Sequence, residues 1–169
     1  MISASESSTV VLESTARVLS SVLLGDIEVS SEVIMHFPTP LWGFPDLQEF
    51  ALLPAAREGL WWMQSCDNEA LTFLLADPFV LDKSYAVDLG ETERVALQIE
   101  QPADAFSLVM IALPTEVGAE ATANFRAPLV FNLAQHVGMQ IVSRDESHQL
   151  RKAVVLDAFP PQAHGLRLQ

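Results

Sequence analysis

The groups in this 169-residue chain that could do chemistry are four histidines, one cysteine and twenty-two carboxylates. His36, His136, His148 and His164 never fall at the i, i+4 spacing that places two imidazoles on one helix face toward a metal. Cys66 is the single cysteine, so an intramolecular disulfide and a Cys-rich zinc site are both excluded. A thiolate–imidazole nucleophile would need one of the remote histidines, and the ordinary state of a lone thiol is a small, half-buried hydrophobe. The acidic pairs Asp67/Glu69 and Glu91/Glu93 could hold a cation between them, but such pairs are more often solvated charge. The seven glycines are never closer than 16 positions apart, which removes a phosphate-cradling loop, and no Gly-x-Ser-x-Gly elbow exists. Nothing in this inventory calls for a metal, a cofactor or a catalytic reaction.

Composition narrows the classes further: the strong acidity makes a basic protein partner plausible, and high solubility is its ordinary explanation. Half the residues are hydrophobic, the mean hydropathy is +0.27 and 18% are charged, as in a globular domain. The formal charge is −13, which disfavours direct contact with nucleic acid, whose phosphates require Lys and Arg. The charge is unevenly placed: residues 26–120 carry 17 acids against 3 bases, whereas residues 121–169 carry 3 acids against 5 bases. Such an anionic stretch is usually a solvated face, and it also steers a cationic partner. The longest uniformly apolar run, Leu108–Leu113, is far short of the ~20 residues a membrane helix needs. The N-terminus carries no basic residue before Arg17 and lacks the pattern of a signal peptide, so a cytoplasmic protein is expected.

The elements that must position these residues read mostly as strands. A hairpin is expected over Arg17–Leu24 and Asp26–Ser30, turning at Gly25-Asp26. The segment His36–Pro45 holds three prolines and a glycine and cannot be regular. Its Phe37, Leu41, Trp42 and Phe44 must pack onto the body or onto a partner, and a core-covering loop is the usual case. Short strands are expected at Phe50–Leu53, Leu60–Ser65 and Leu71–Ala76. Leu81–Leu89 follows with Tyr85 and Val87 on one face. One short helix is expected at Glu91–Ile99, capped by Gly90 or Thr92. Ala105–Leu113 reads as a central strand covered on both faces. Further strands are expected at Ala123–Phe125, Leu129–Asn132, Gly138–Ser143 and Ala153–Leu156. Many short strands with one helix give a mostly β, compact antiparallel barrel-like domain over 10–156. A flexible tail over 1–9 and a C-terminal tail over 157–169 flank it.

A few polar residues interrupt apolar runs. Gln64 lies in Trp61-Trp-Met-Gln-Ser65, where a solvent-facing strand position is expected. Asn124 and Asn132 lie in strand-like surroundings, where turn or edge hydrogen bonds to backbone are expected. These belong to an ordered series of segments. The series comprises Phe37-Pro38 with Leu41, Gly43-Phe44 and Phe50; Trp62–Ser65; Phe73 with Asp77-Pro-Phe79; Tyr85; Ala123–Pro128; Asn132; and Val137–Ile141.

In that order the segments resemble the FliW family of bacterial flagellar assembly factors, from about residue 16 to residue 152. Pro40 stands where the family usually has Gly, and His148 stands where it often has Tyr. The resemblance implies a barrel-like β fold and no enzymatic activity. It implies two partners: CsrA, a small basic RNA-binding regulator that represses flagellin translation, and flagellin itself. Accumulated flagellin would occupy the protein and free CsrA, and its export would reverse this. An apolar groove is expected for flagellin, whose ends are amphipathic helices. Gly43, Pro78 and Pro128 are read as backbone-shaping, and Phe37, Phe44 and Phe79 as core. Gln64, Asp67, Glu69, Asn124 and Asn132 are the partner-contact candidates, the acids facing CsrA. The competing readings are an acidic β-barrel assembly subunit and a small metal-binding or enzymatic barrel.

Overall fold

The computed structural model describes residues 15–161; the tail expected over 1–9 lies outside them. The chain begins with a hairpin, β1 (Arg17–Ser21) and β2 (Gly25–Val29). There follow β3 (Ile34–His36), β4 (Glu49–Pro54), β5 (Leu60–Ser65) and β6 (Thr72–Ala76). Two short helices, α1 (Pro78–Leu81) and α2 (Glu91–Ala96), precede β7 (Phe106–Ala112). The last strands are β8 (Ala121–Ala123), β9 (Leu129–Asn132), β10 (Val137–Gln140) and β11 (Lys152–Val154).

Seven strands close a barrel in the order β7-β6-β5-β4-β3-β10-β9 and back to β7. Closure depends on β7, which takes three partners. One edge pairs with β6 over Val109–Ile111. On the other edge, Phe106–Leu108 pairs with β9, and Ile111–Ala112 pairs with β8. The strand thus seals the barrel with its first half and carries β8 and β11 as a side flap with its second. Neighbours are antiparallel except at β3 and β10, which meet in parallel at His36 and Val137.

Both faces of the wall are buried, which accounts for the continuous apolar runs. Inside lie Phe37, Phe50, Leu75, Leu108, Leu129 and Phe131. The Phe37 ring meets those of Phe50 and Phe131 edge-on, with centroids 5.2 and 5.9 Å apart. Outside, three caps cover the wall. Tyr85, Phe125 and Phe159 cover Leu60, Leu74 and Val109. The β1–β2 hairpin lays Leu19, Ile27 and Val29 on Ala51 and Leu53. Leu97 and Ile99 lie on Val130, Val137 and Ile141. The hairpin turns through three residues, Val22–Leu24, and Gly25 takes φ +78, the left-handed position such a loop requires.

Several expectations need correction. A second helix, α1, starts at Pro78, with the Asp77 side chain capping the Phe79 amide. Phe79 is therefore not core; it is 45% exposed. Residues 82–90 form no strand, although Tyr85 is buried. Its hydroxyl donates to the Phe125 carbonyl, which fixes the segment without a ladder. β8 begins two residues before the expected Ala123, and β10 ends at Gln140 rather than Ser143. Of the tail expected over 157–169, residues 157–161 are described, and they pack on the body. Phe159 is fully buried, and the Glu58 amide donates to the Pro160 carbonyl.

The tightest point of the core is Gly138. A Cβ there would lie 2.8 Å from the Phe131 ring and 2.9 Å from that of Phe37. Gly138→Ala should therefore cost about 1–3 kcal/mol through overpacking, read as a lowered urea midpoint at unchanged m-value. A midpoint equal to that of the parent would show that the two rings yield freely.

Candidate partner-binding surface

The strand registers gather specific loops at one mouth of the barrel. Phe50 pairs with Ser65 and His36 with Glu49, so the 37–48 loop and the 66–71 turn leave the wall at the same end. β7 runs antiparallel to β6, which brings the 113–120 loop there too. The 37–48 loop plugs this mouth with Phe37 and Leu41, both buried, and half-buried Phe44 against Phe73. Trp42, in the same loop, is 50% exposed. The irregular backbone follows from its prolines, and its placement follows from its large apolar side chains.

Gln64 is the clamp of this mouth. It was expected to face solvent, yet its side chain is fully buried. Its amide nitrogen donates to the Ser65 and Asn68 carbonyls, each at 3.1 Å, while its amide oxygen accepts from the Thr72 hydroxyl. The Ser65 hydroxyl in turn accepts from the Asp67 and Asn68 amides. A primary amide supplies two donors and an acceptor, and a tight turn at the end of two buried strands needs that set. The clamp extends to the hairpin: the Val22 amide donates to the Glu69 carbonyl at 2.8 Å, and the Ser21 and Thr72 hydroxyls lie 3.5 Å apart. The apolar hairpin tip, with Val22 73% and Leu23 60% exposed, is thereby stapled beside Asp67 and Glu69.

Asp67 and Glu69 are exposed on this rigid turn. Asp46, Glu49, Glu116 and Glu120 lie in the loops and strand end of the same mouth. Among the described residues none of these six has a Lys or Arg within 4.0 Å. A cavity of about 750 Å³ opens here, lined by Phe73, Met110 and Leu150 and edged by Glu116, Glu120 and Arg151. Cys66 sits just inside the turn. Burial pushes its thiol up to about 11, against the attraction of Arg17.

The two asparagines behave differently from the acids. Asn124 lines the cavity, but its side-chain oxygen accepts the Ala127 amide at 2.9 Å and shapes the 124–127 turn. Asn132 is buried at the opposite mouth. Its amide donates to the Leu97 and Gln98 carbonyls, each at 3.0 Å, fastening the end of α2 to β9. That helix ends with the Ile99 amide on the Arg94 carbonyl, the Gln98 amide on Val95, and Gln98 at φ +56. Of the five candidates, the structure brings Gln64, Asp67, Glu69 and Asn124 to one mouth and leaves Asn132 at the other. Of the five, only Asp67 and Glu69 are exposed. Val22, Leu23 and Trp42 are exposed apolar residues beside these acids; Trp42 belongs to the loop expected to pack on the body or a partner, and the other two were not singled out. An apolar hairpin tip, where turns are ordinarily polar, was the available signal for the first two.

These arrangements give three measurable consequences. Gln98→Gly should stabilise the protein by about 1 kcal/mol, because glycine relieves the left-handed backbone. Asn132→Ala should destabilise it by about 1–3 kcal/mol, because the buried Leu97 carbonyl and the part-buried Gln98 carbonyl lose their donor. Urea unfolding of both variants checks the pair; equal midpoints would rule out the fastening role. The raised Cys66 pKa means a neutral thiol at pH 8. Iodoacetamide should accordingly alkylate the folded protein about 100-fold more slowly than an unshifted thiol with the same access. A rate matching the unfolded chain would contradict the burial argument.

The FliW protein family model matches residues 18–154 of this chain. The chain is 31% identical over 135 residues to the flagellar assembly factor FliW of Leptospira interrogans serovar Lai, covering 79% of this chain and 90% of that protein. It is 30% identical over 136 residues to that of Moorella thermoacetica, covering 80% and 86%. A crystal structure of the flagellar assembly factor FliW superposes with a TM-score of 0.74 at 26% identity, covering 83% of this chain and 99% of that one. With a barrel of this topology and these matches, the chain belongs to the FliW family of flagellar assembly factors.

Proposed function

We propose that this protein acts in the cytoplasm as a partner-switching binder: it holds the translational regulator CsrA, releases it when flagellin accumulates, and shields flagellin before export. The role is one of binding rather than catalysis. The observation that carries the reading is the acidic mouth, where Asp67 and Glu69 project from a turn that Gln64 holds rigid beside the exposed Val22 and Leu23. A basic regulator meets complementary potential there, which speeds encounter and turns away acidic competitors. An apolar tip within the charged field supplies the desolvated contact that charge alone does not. The switch is linkage: if CsrA and flagellin exclude one another, each lowers the apparent affinity of the other by the same factor. A tenfold shift needs only about 1.4 kcal/mol.

Titration calorimetry of the protein against CsrA, alone and with flagellin present, tests this. The expected outcome is a complex that weakens when flagellin is added. Asp67→Lys with Glu69→Lys should weaken CsrA binding at least tenfold at low salt and flatten its salt dependence. Unchanged affinity in that variant would remove the acidic turn from the interface. Simultaneous binding of both partners would replace exclusion with a ternary complex.

A further inference from the structure

The side flap ends in an open strand edge. β11 is the end strand of its sheet and pairs on one side only, with β8. The direction of its backbone groups follows from strand alternation. The Asn124 amide donates to the Met110 carbonyl at 2.9 Å, so Thr122, two residues back, also turns its amide and carbonyl toward β7. Ala121 and Ala123 therefore turn theirs toward β11, where they face Val154 and Lys152. That leaves the amide and carbonyl of Ala153 pointing outward, and among the described residues they meet no loop or side-chain partner. Val155 continues the strand in extended conformation, with φ −105 and ψ 110. By the same alternation its amide and the backbone groups of Arg151 flank Ala153 on the outward side, while the Val155 carbonyl already accepts the Ala158 amide.

Edge strands are ordinarily guarded by an outward lysine, a proline or a covering element. Here the lysine is committed inward: the Lys152 ammonium lies 3.2 Å from the Asp82 carboxylate and 4.8 Å over the Phe125 ring. Val154 packs on the same side, against the cluster of Phe125 and Phe159. No proline falls between Gln149 and Phe159. The outward face of the strand carries Arg151, Ala153 and Val155, all exposed, and the Ala153 methyl leaves room for a neighbouring strand. Among the described residues Arg151 has no carboxylate within 4.0 Å. A row of outward amides and carbonyls is satisfied by one kind of occupant, a second extended backbone, whose side chains alternate between faces. A carboxylate opposite Arg151 and β-branched residues beside Ala153 and Val155 complete the cross-strand pairs.

We propose that the free edge of β11 is a docking site, and that its occupant is an extended, acidic segment of a partner protein, added to the flap as a further strand. The inference goes beyond the exchange proposed for the acidic mouth and does not depend on which partner meets Asp67 and Glu69. Main-chain bonds to Ala153 supply the affinity, and the charge on Arg151 selects an acid over a base.

The test uses the full-length protein and a short synthetic peptide that alternates valine and threonine around a central glutamate. Amide hydrogen exchange by NMR and fluorescence anisotropy read its binding. The Ala153 amide should exchange as an exposed amide in the free protein and slow at least tenfold when the peptide is bound. Ala153→Pro removes that outward donor while sparing the bonds to β8, and should weaken the peptide at least tenfold. Arg151→Glu, at an exposed position, should reverse the preference between this peptide and a counterpart with lysine for glutamate, so a poorly folded Ala153→Pro leaves the test intact. Equal affinity of the parent and the well-folded variants would overturn the site. So would an Ala153 amide already protected without peptide, which would mean that the edge is covered by the chain itself. A parent that dimerises in light scattering and returns to monomer as Ala153→Pro would assign the edge to a second copy instead. CsrA should bind the parent and Ala153→Pro alike; its loss in a well-folded Ala153→Pro alone would merge the edge with the acidic mouth and overturn a separate site. Failure of CsrA to bind the parent defeats the functional reading and leaves the peptide result standing.

Discussion

The structure depends on the way β7 spends its two edges. A sheet edge exposes unpaired amides and carbonyls, and a closed barrel removes that edge. Here closure is achieved by a seven-residue strand that splits one edge between β9 and β8 while giving the other to β6. Had that edge paired along its length with β9 alone, β8 and β11 would have no place in the sheet. Had it paired with β8 alone, the barrel would stand open at β9. Because β7 is committed on both edges and both faces at its centre, Leu108 and Val109 are both fully buried, and the run from Leu108 to Ile111 is apolar.

Closure divides the loops between two mouths and sets what each loop must do. At the acidic mouth, the 37–48 loop seals the interior with its own side chains, leaving the 66–71 turn to carry charge. At the other, α1 and α2 cover the wall from outside. Buried backbone groups there are satisfied by side-chain amides, as at Asn132. The clamps are economical because a primary amide can bridge two carbonyls at once, and burial makes each such bond costly to lose.

Much of this was legible in the sequence, and the misses share a cause. Leu60–Ser65 and Leu129–Asn132 form strands with the expected bounds, because turn signals and apolar runs coincide there. The hairpin forms as expected, but it turns at Val22–Leu24, and Gly25-Asp26, read as the turn, already lie in β2. The α1 turn was missed although Asp77-Pro78 is a cap followed by proline at the first helical position, because four residues show no period. Tyr85 and Val87 alternate like a strand, yet a single long-range bond from the Tyr85 hydroxyl replaces the ladder. The parallel meeting of β3 and β10 joins residues 101 positions apart, and no local pattern encodes it. Gln64 was misplaced for the same reason: alternation locates a face, whereas only the fold shows that a turn needs its amide.

The placement of those polar residues bears on where specificity resides. The interrupting side chains within the family-like segments, Gln64, Asn124 and Asn132, all turn inward to hold backbone. The side chains left for a partner are acids and apolar residues on the loops they hold, and loops vary more freely than the clamps beneath them. The scaffold therefore fixes where a partner can sit, and loop charge sets which partner does. This bears on exchange as well. In the close-packed barrel interior the Phe37 ring meets Phe50 and Phe131 edge-on, so any rearrangement joining the two mouths has to repack those rings. Under the proposed exchange, partners that displace each other by overlap share a mouth and compete for the same surface. The strength of such a switch, as proposed, is set by how much of the acidic mouth the two partners have in common.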